Sequence, residues 1–180
     1  MNRSSIFHHR QTVGRALLML VVLFIIVPVS AQITIGGDVY GGGKEGKVGT
    51  SNTVTDNVST ENATSVTVKS GTITGNVYGG GEKGDAMGCT EVILQGGVFE
   101  HDIYGGARMA GVKGNTHVNI DGANLANDLT IANVYGGNDI FGTVYGSALV
   151  ESTYAEATDT KTIDIANLFG GGNGDYDYND

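Results

Sequence analysis

The chain has 180 residues, with 10 basic and 19 acidic side chains, 30 glycines, one proline, one cysteine and no tryptophan. A net charge of −9 repels the phosphates of nucleic acids and of anionic membrane surfaces, so neither is an expected partner. A lone cysteine excludes a scaffold held by intrachain disulfides.

The first predicted element is a leader. Arg3, Arg10 and Arg15 form a basic segment free of acidic residues, residues 17–27 are uninterrupted apolar sequence, and Pro28 ends the run. Val29-Ser30-Ala31 then supplies the small residues that a signal peptidase accepts. The pattern predicts a cleavable secretory signal helix over residues 1–31, cut between Ala31 and Gln32, and an exported domain over residues 32–180. A membrane span needs about 20 apolar residues, more than this run provides. No later segment is apolar enough to span, so none is expected after cleavage. Without the leader, seven basic residues face nineteen acidic ones, a net charge of −12.

The exported part repeats one phrase five times: an Asx residue, an aliphatic, an aromatic and two glycines. Its copies begin with Asp38 and Tyr40, Asn76 and Tyr78, Asp102 and Tyr104, Asn133 and Tyr135, and Asn167 and Phe169. Recurrence at this distance marks stacked repeats. The central units align at a spacing of 26, through Thr64, Thr90 and Thr116, Val66, Val92 and Val118, and Val68, Leu94 and Ile120. The same spacing groups Ile73 with Phe99 and Leu125, and Val77 with Ile103 and Leu129. Tyr78 follows Tyr40 by 38, the surplus falling in a polar run over residues 49–62. Tyr135 follows Tyr104 by 31, an insertion of about five residues in that turn.

Within a unit, Thr64, Val66 and Val68 alternate with Ser65, Thr67 and Lys69, and Thr90, Val92 and Leu94 alternate with Glu91, Ile93 and Gln95. Period two with β-branched residues predicts strands. Glycines at 71, 96, 97 and 122 punctuate them, and the glycine density disfavours helices at about 1 kcal/mol each. Three short strands per unit, stacked unit on unit, predict an all-β, right-handed parallel β-solenoid (β-helix) of about five units of ~26 residues. A sandwich or barrel of hairpins would show no columns at such spacing. The Asx residues are expected to form turns by bonding nearby backbone amides, with the aromatics stacked along one edge.

With these residues in place, the VYGGG phrase and its following glycine, over residues 36–175, resemble the Gly-rich, adhesin-like repeat surface proteins of Gram-negative gut and oral bacteria. The resemblance implies export and a β-solenoid, and it brings no catalytic residues. The acidic end, residues 170–180, opens another unit without a cap. That predicts either a longer protein or a free strand edge offered to another chain.

Motifs that resemble chemistry read as structure. Gly41-x-Gly43-x-x-Gly46 and Gly79-x-Gly81-x-x-Gly84 fit a dinucleotide fingerprint, but no amphipathic helix follows either. Residues 41–48 approach a P-loop, except that Val48 stands where a magnesium-binding hydroxyl belongs. Residues 171–177 resemble one calcium nonapeptide out of register, without the tandem copies that supply ligands. Cys89 reads as a small, partly buried residue at a unit boundary. Asp102 and Asp128 align at 26 residues, yet Asn76 and Asn133 share the role, so the pair reads as turn chemistry and not as two catalytic carboxylates. His101 and His117 fall on positions expected to be exposed and without a repeated partner. The expectation is therefore no enzyme, no cofactor and no bound metal. The function expected is that of an exported structural or adhesin-like surface protein, whose partner is a glycan or another copy meeting its open end. The alternatives are a carbohydrate-binding module and, third, a relative of β-helix polysaccharide lyases or glycosidases.

Overall fold

The computed structural model describes residues 32–50, 54, 55, 58–153 and 160–174. The leader with Ala31, and the acidic end at residues 175–180, lie outside the described residues. The described chain is all-β with parallel sheets; its only helix is a three-residue 3-10 turn, Gly122–Asn124. No helix among the described residues is long and apolar enough to cross a membrane.

The strands follow the predicted alternation. In chain order they are β1 (Thr34–Ile35), β2 (Val39–Tyr40), β3 (Val54–Thr55), β4 (Val58–Ser59), β5 (Asn62–Val68), β6 (Thr72–Ile73) and β7 (Val77–Tyr78). Then come β8 (Cys89–Leu94), β9 (Gly97–Phe99), β10 (Ile103–Tyr104), β11 (Thr116–Asp121), β12 (Leu129–Tyr135), β13 (Ala148–Thr153) and β14 (Ile163–Phe169). Apart from the β3–β4 hairpin, which carries the extra length of the 49–62 run, every pairing is parallel.

One sheet runs β5-β8-β11-β13. Its register places Val66, Val92, Val118 and Val150 side by side, and Val68, Leu94 and Ile120 likewise. The other sheet has two arms, β1-β6-β9 and β2-β7-β10, which join on β12; β14 lies against β12 along its full length. Between the sheets sits a core of Ile73, Val77, Val92, Leu94, Phe99, Ile103, Val118, Ile120, Leu129, Ile131 and Val134. In β8 the buried positions are Thr90, Val92 and Leu94, while Glu91 and Ile93 are partly exposed, as alternation demands.

Two of the five columns need correction. Phe99 is paired with Ile131, not Leu125, and Ile103 with Val134, not Leu129. The inserted residues lie between β11 and β12, where the chain makes its 3-10 turn at Gly122–Asn124. The spacing of 26 therefore holds up to Ile120 and shifts to 32 at Leu129, which pairs with Gly97. Leu125, which directly follows the turn, is still buried in the core.

The glycine pairs have a steric cause. A Cβ built on Gly79 would overlap the carbonyl oxygen of Gly105, and one on Gly105 that of Gly136. Neighbouring units approach backbone to backbone there, so a side chain has no room. The loops that mimic nucleotide-binding fingerprints also stack: Glu82 N–H donates to Gly43 O at 3.1 Å and Lys83 N–H to Lys44 O at 2.7 Å. Their amide groups serve the neighbouring turn.

Candidate functional site

The feature common to all units is a double ladder. Its aromatic half stacks Tyr40, Tyr78, Tyr104, Tyr135 and Phe169, with ring centroids 4.7–5.1 Å apart and planes within 11° of parallel. Parallel in-register pairing of Tyr78 with Tyr104 and of Tyr104 with Tyr135 forces this geometry, because equivalent side chains repeat at the strand spacing. Tyr78 and Tyr104 are buried, Tyr40 and Tyr135 partly so, and Phe169 is exposed.

The Asx half corrects the expectation of local turns. Asn76 N–H donates to Asp38 Oδ1 at 2.8 Å, and Asp102 N–H to Asn76 Oδ1 at 3.0 Å. Asn133 Nδ2 donates to Asp102 Oδ1 at 2.6 Å, and Asn167 Nδ2 to Asn133 Oδ1 at 2.9 Å. These bonds join neighbouring units 26–38 residues apart in sequence, so the Asx side chains hold one unit to the next.

Carboxylates line the phenol hydroxyls. Tyr40 Oη donates to Asp38 at 2.9 Å, Tyr78 Oη to Asp139 at 2.8 Å and Tyr104 Oη to Asp102 at 3.3 Å. Burial, first, and the adjacent carboxylates push the ionisation of Tyr40, Tyr78 and Tyr104 far above the usual phenol range. Tyr135 is raised by the same causes. The ladder thus holds neutral phenols as donors to carboxyl oxygens, and none of these phenols is suited to act as a base near neutral pH.

Three supports of this site were not legible in the repeated phrase. Thr90 Oγ1 donates across the core to Gly105 O at 2.6 Å, and Thr64 does the same to Gly79 O. Thr116, next in that column, finds no partner for its hydroxyl among the described residues. Asn138 is buried, accepting Ala107 N–H at 2.8 Å and donating to Ala110 O at 3.1 Å. Asp139 follows it and reaches Tyr78, although 61 residues separate them. The Thr column was visible as alternation, whereas Asn138 and Asp139 occur in one unit only and left no periodic signal.

The remaining sequence candidates lie apart from the ladder. Gln32 is exposed and donates from Nε2 to Thr72 Oγ1 at 3.1 Å. Asp128 does not align with Asp102; its Oδ1 accepts Thr162 N–H at 2.8 Å, joining the residues that precede β12 and β14. The reason is the displaced register after β11. His101 is exposed, but His117 is neither exposed nor isolated. It sits on β11 between neighbouring strands, with Nδ1 3.5 Å from Glu91 and Nε2 3.0 Å from Glu151, the second contact lacking hydrogen-bond alignment. Cys89 is half-buried, donating to Ser59 O at 3.5 Å and accepting Asn115 N–H at 3.3 Å. Asp121 accepts Gln95 Nε2 at 2.7 Å, and that bond, with others from Asn124 and Thr153, holds its carboxyl below the usual range against the opposing effect of burial.

No family model, curated protein or solved structure matches the chain.

Proposed function

We propose that this chain is an exported, right-handed parallel β-solenoid of about five stacked units, acting as a structural, adhesin-like element of the cell surface and catalysing no reaction. The observation that carries the reading is the double ladder. In it the recurring polar and aromatic side chains are spent on holding one unit to the next. A chain whose repeated residues serve its own stacking is built for length and stiffness, as solenoids are. Right-handedness follows from the strong preference of parallel crossover connections. Export rests on the leader, whose three-part pattern ends at Ala31 and Gln32. A net charge of −12 after its removal suits a soluble exterior element.

The test is expression of the full chain, with its leader, in a Gram-negative bacterium. Mass spectrometry of the exported product should find Gln32 at the amino terminus, and protease added to intact cells should remove surface-bound product. Intact chain beginning at Met1 in the membrane fraction, protected from protease, would overturn the assignment. Specific retention on a glycan array would favour the carbohydrate-binding reading.

A further inference from the structure

The first and last described units carry ladder residues of the same kind in the same order, Asp38-Val39-Tyr40 and Asn167-Leu168-Phe169, and among the described residues each set has one uncovered side. At one end Ile35 is 40% exposed, and Ile35, Val39, Val66, Val68 and Ile73 line an apolar cavity of about 340 Å³. Val66 and Val68 are only partly buried, whereas their column mates Val92, Val118, Leu94 and Ile120 are fully buried. At the other end Leu168 is 50% and Phe169 44% exposed, and Ile163 and Ile165 are partly buried against the core. Among the described residues, β14 pairs only with β12, β1 only with β6 and β2 only with β7, so each has an unpaired edge.

From this match we infer that the chain assembles head to tail with second copies of itself, β14 of one copy pairing in parallel with β1 and β2 of the next. The inference rests on the solenoid reading and names its partner. The register is that of the internal units: the column Ile73, Phe99, Ile131, Ile165 continues to Ile35 of the next copy. The column Val77, Ile103, Val134, Leu168 continues to Val39. Phe169 then meets Tyr40 as the fifth ring contact of the stack, and Asp38 N–H donates to Asn167 Oδ1 as Asn76 N–H does to Asp38 within a copy.

The spacing along the strands also fits. Ile165 and Leu168 are three residues apart, whereas Ile35 and Val39 are four apart. The same mismatch is already accommodated where Ile131 and Val134 lie against Phe99 and Ile103. Within the sheet that holds β1, β2 and β14 the strands run parallel, so an end cannot pair in parallel with its own equivalent. The contact is heterologous and generates open chains in preference to closed dimers. On the four-stranded side, β1 and β2 have no companion beside β5 among the described residues. Pairing across the joint is therefore confined to β14 with β1–β2, which makes it weaker than an internal unit boundary.

The experiment uses the exported chain and two variants at opposite ends, Ile35→Lys and Leu168→Lys. Both sites are exposed in the single copy, so both variants should keep the wild-type far-ultraviolet spectrum. By mass action, sedimentation of the wild type should show the weight-average mass rising about twofold or more over a hundredfold increase in concentration. Each variant alone should stay monomeric. An equimolar mixture should form dimers and stop there, because each variant retains one intact face. Wild type that is exported and folded but monomeric throughout would overturn the inference while leaving the solenoid reading standing. Variants that self-associate alone, or a mixture that stays monomeric, would overturn it equally.

Discussion

Among single residues, the tyrosines of the ladder carry the most distinctive physical chemistry. Tyr78 is fully buried and its hydroxyl donates to Asp139, a charge-assisted bond worth about 1.5–3 kcal/mol. Tyr78→Phe should lower stability by that amount in urea denaturation, with the strand content of the folded state unchanged. The raised ionisation of Tyr40, Tyr78 and Tyr104 also fixes a pH dependence. Each phenol favours the fold fully below its unfolded value near 10, and that contribution is lost as pH rises toward the higher folded value. The phenolate absorbance of these three rings, isolated by difference from their Phe variants because the chain has eight tyrosines, should therefore appear together with the loss of strand signal above about pH 10. Phenolate so assigned that forms while the strands persist would place these rings in solvent.

Among the elements, the register of β8 between β5 and β11 is decisive. Val92 is fully buried between Val66 and Val118, whereas Thr67 points outward from β5. Val92→Asp puts an unpaired carboxylate into the core and should cost at least ~4 kcal/mol, enough to prevent folding. Thr67→Asp should change the thermal midpoint little. Equal effects, read by circular dichroism, would contradict the strand parity. The alternation of β5 and β8 was legible because one face of each is buried and the other is not. The pairing of β12 was not, because the turn at Gly122–Asn124 absorbs its extra residues before the strand begins. Arithmetic at a fixed 26 therefore assigned Leu125 and Leu129 to columns that Ile131 and Val134 occupy.

For the whole molecule, the proposed solenoid carries an expectation: a stack of equivalent units draws its stability from nearest-neighbour contacts. Removing residues 90–115 joins Cys89 to Thr116 and brings Val66 against Val118, Val77 against Val134 and Tyr78 against Tyr135, all like for like. Such a chain should fold cooperatively with a lower urea midpoint. Removing only residues 90–102 puts Ile103 where Thr90 stood and breaks every column that runs through β8 and β9, so it should yield an unfolded product. If both deletions behave alike in circular dichroism, the units are not equivalent stacked modules.

Local pattern along the chain was enough to place the strand class, the repeated phrase and the aromatic residues that stack. A hydrophobic period of two and a column spacing of 26 are local properties written along the chain, and buried like residues must coincide for the core to close. Tertiary structure alone decided which neighbour each side chain serves. The Asx groups could have bonded their own turns, and they bond the next unit because parallel stacking brings Asp38 beside Asn76 N–H and Asn76 beside Asp102 N–H. Asp139 became the acceptor of Tyr78, and His117 came between Glu91 and Glu151, across separations that no local pattern encodes. Such contacts depend on the offset between units, and that offset is set where the chain turns.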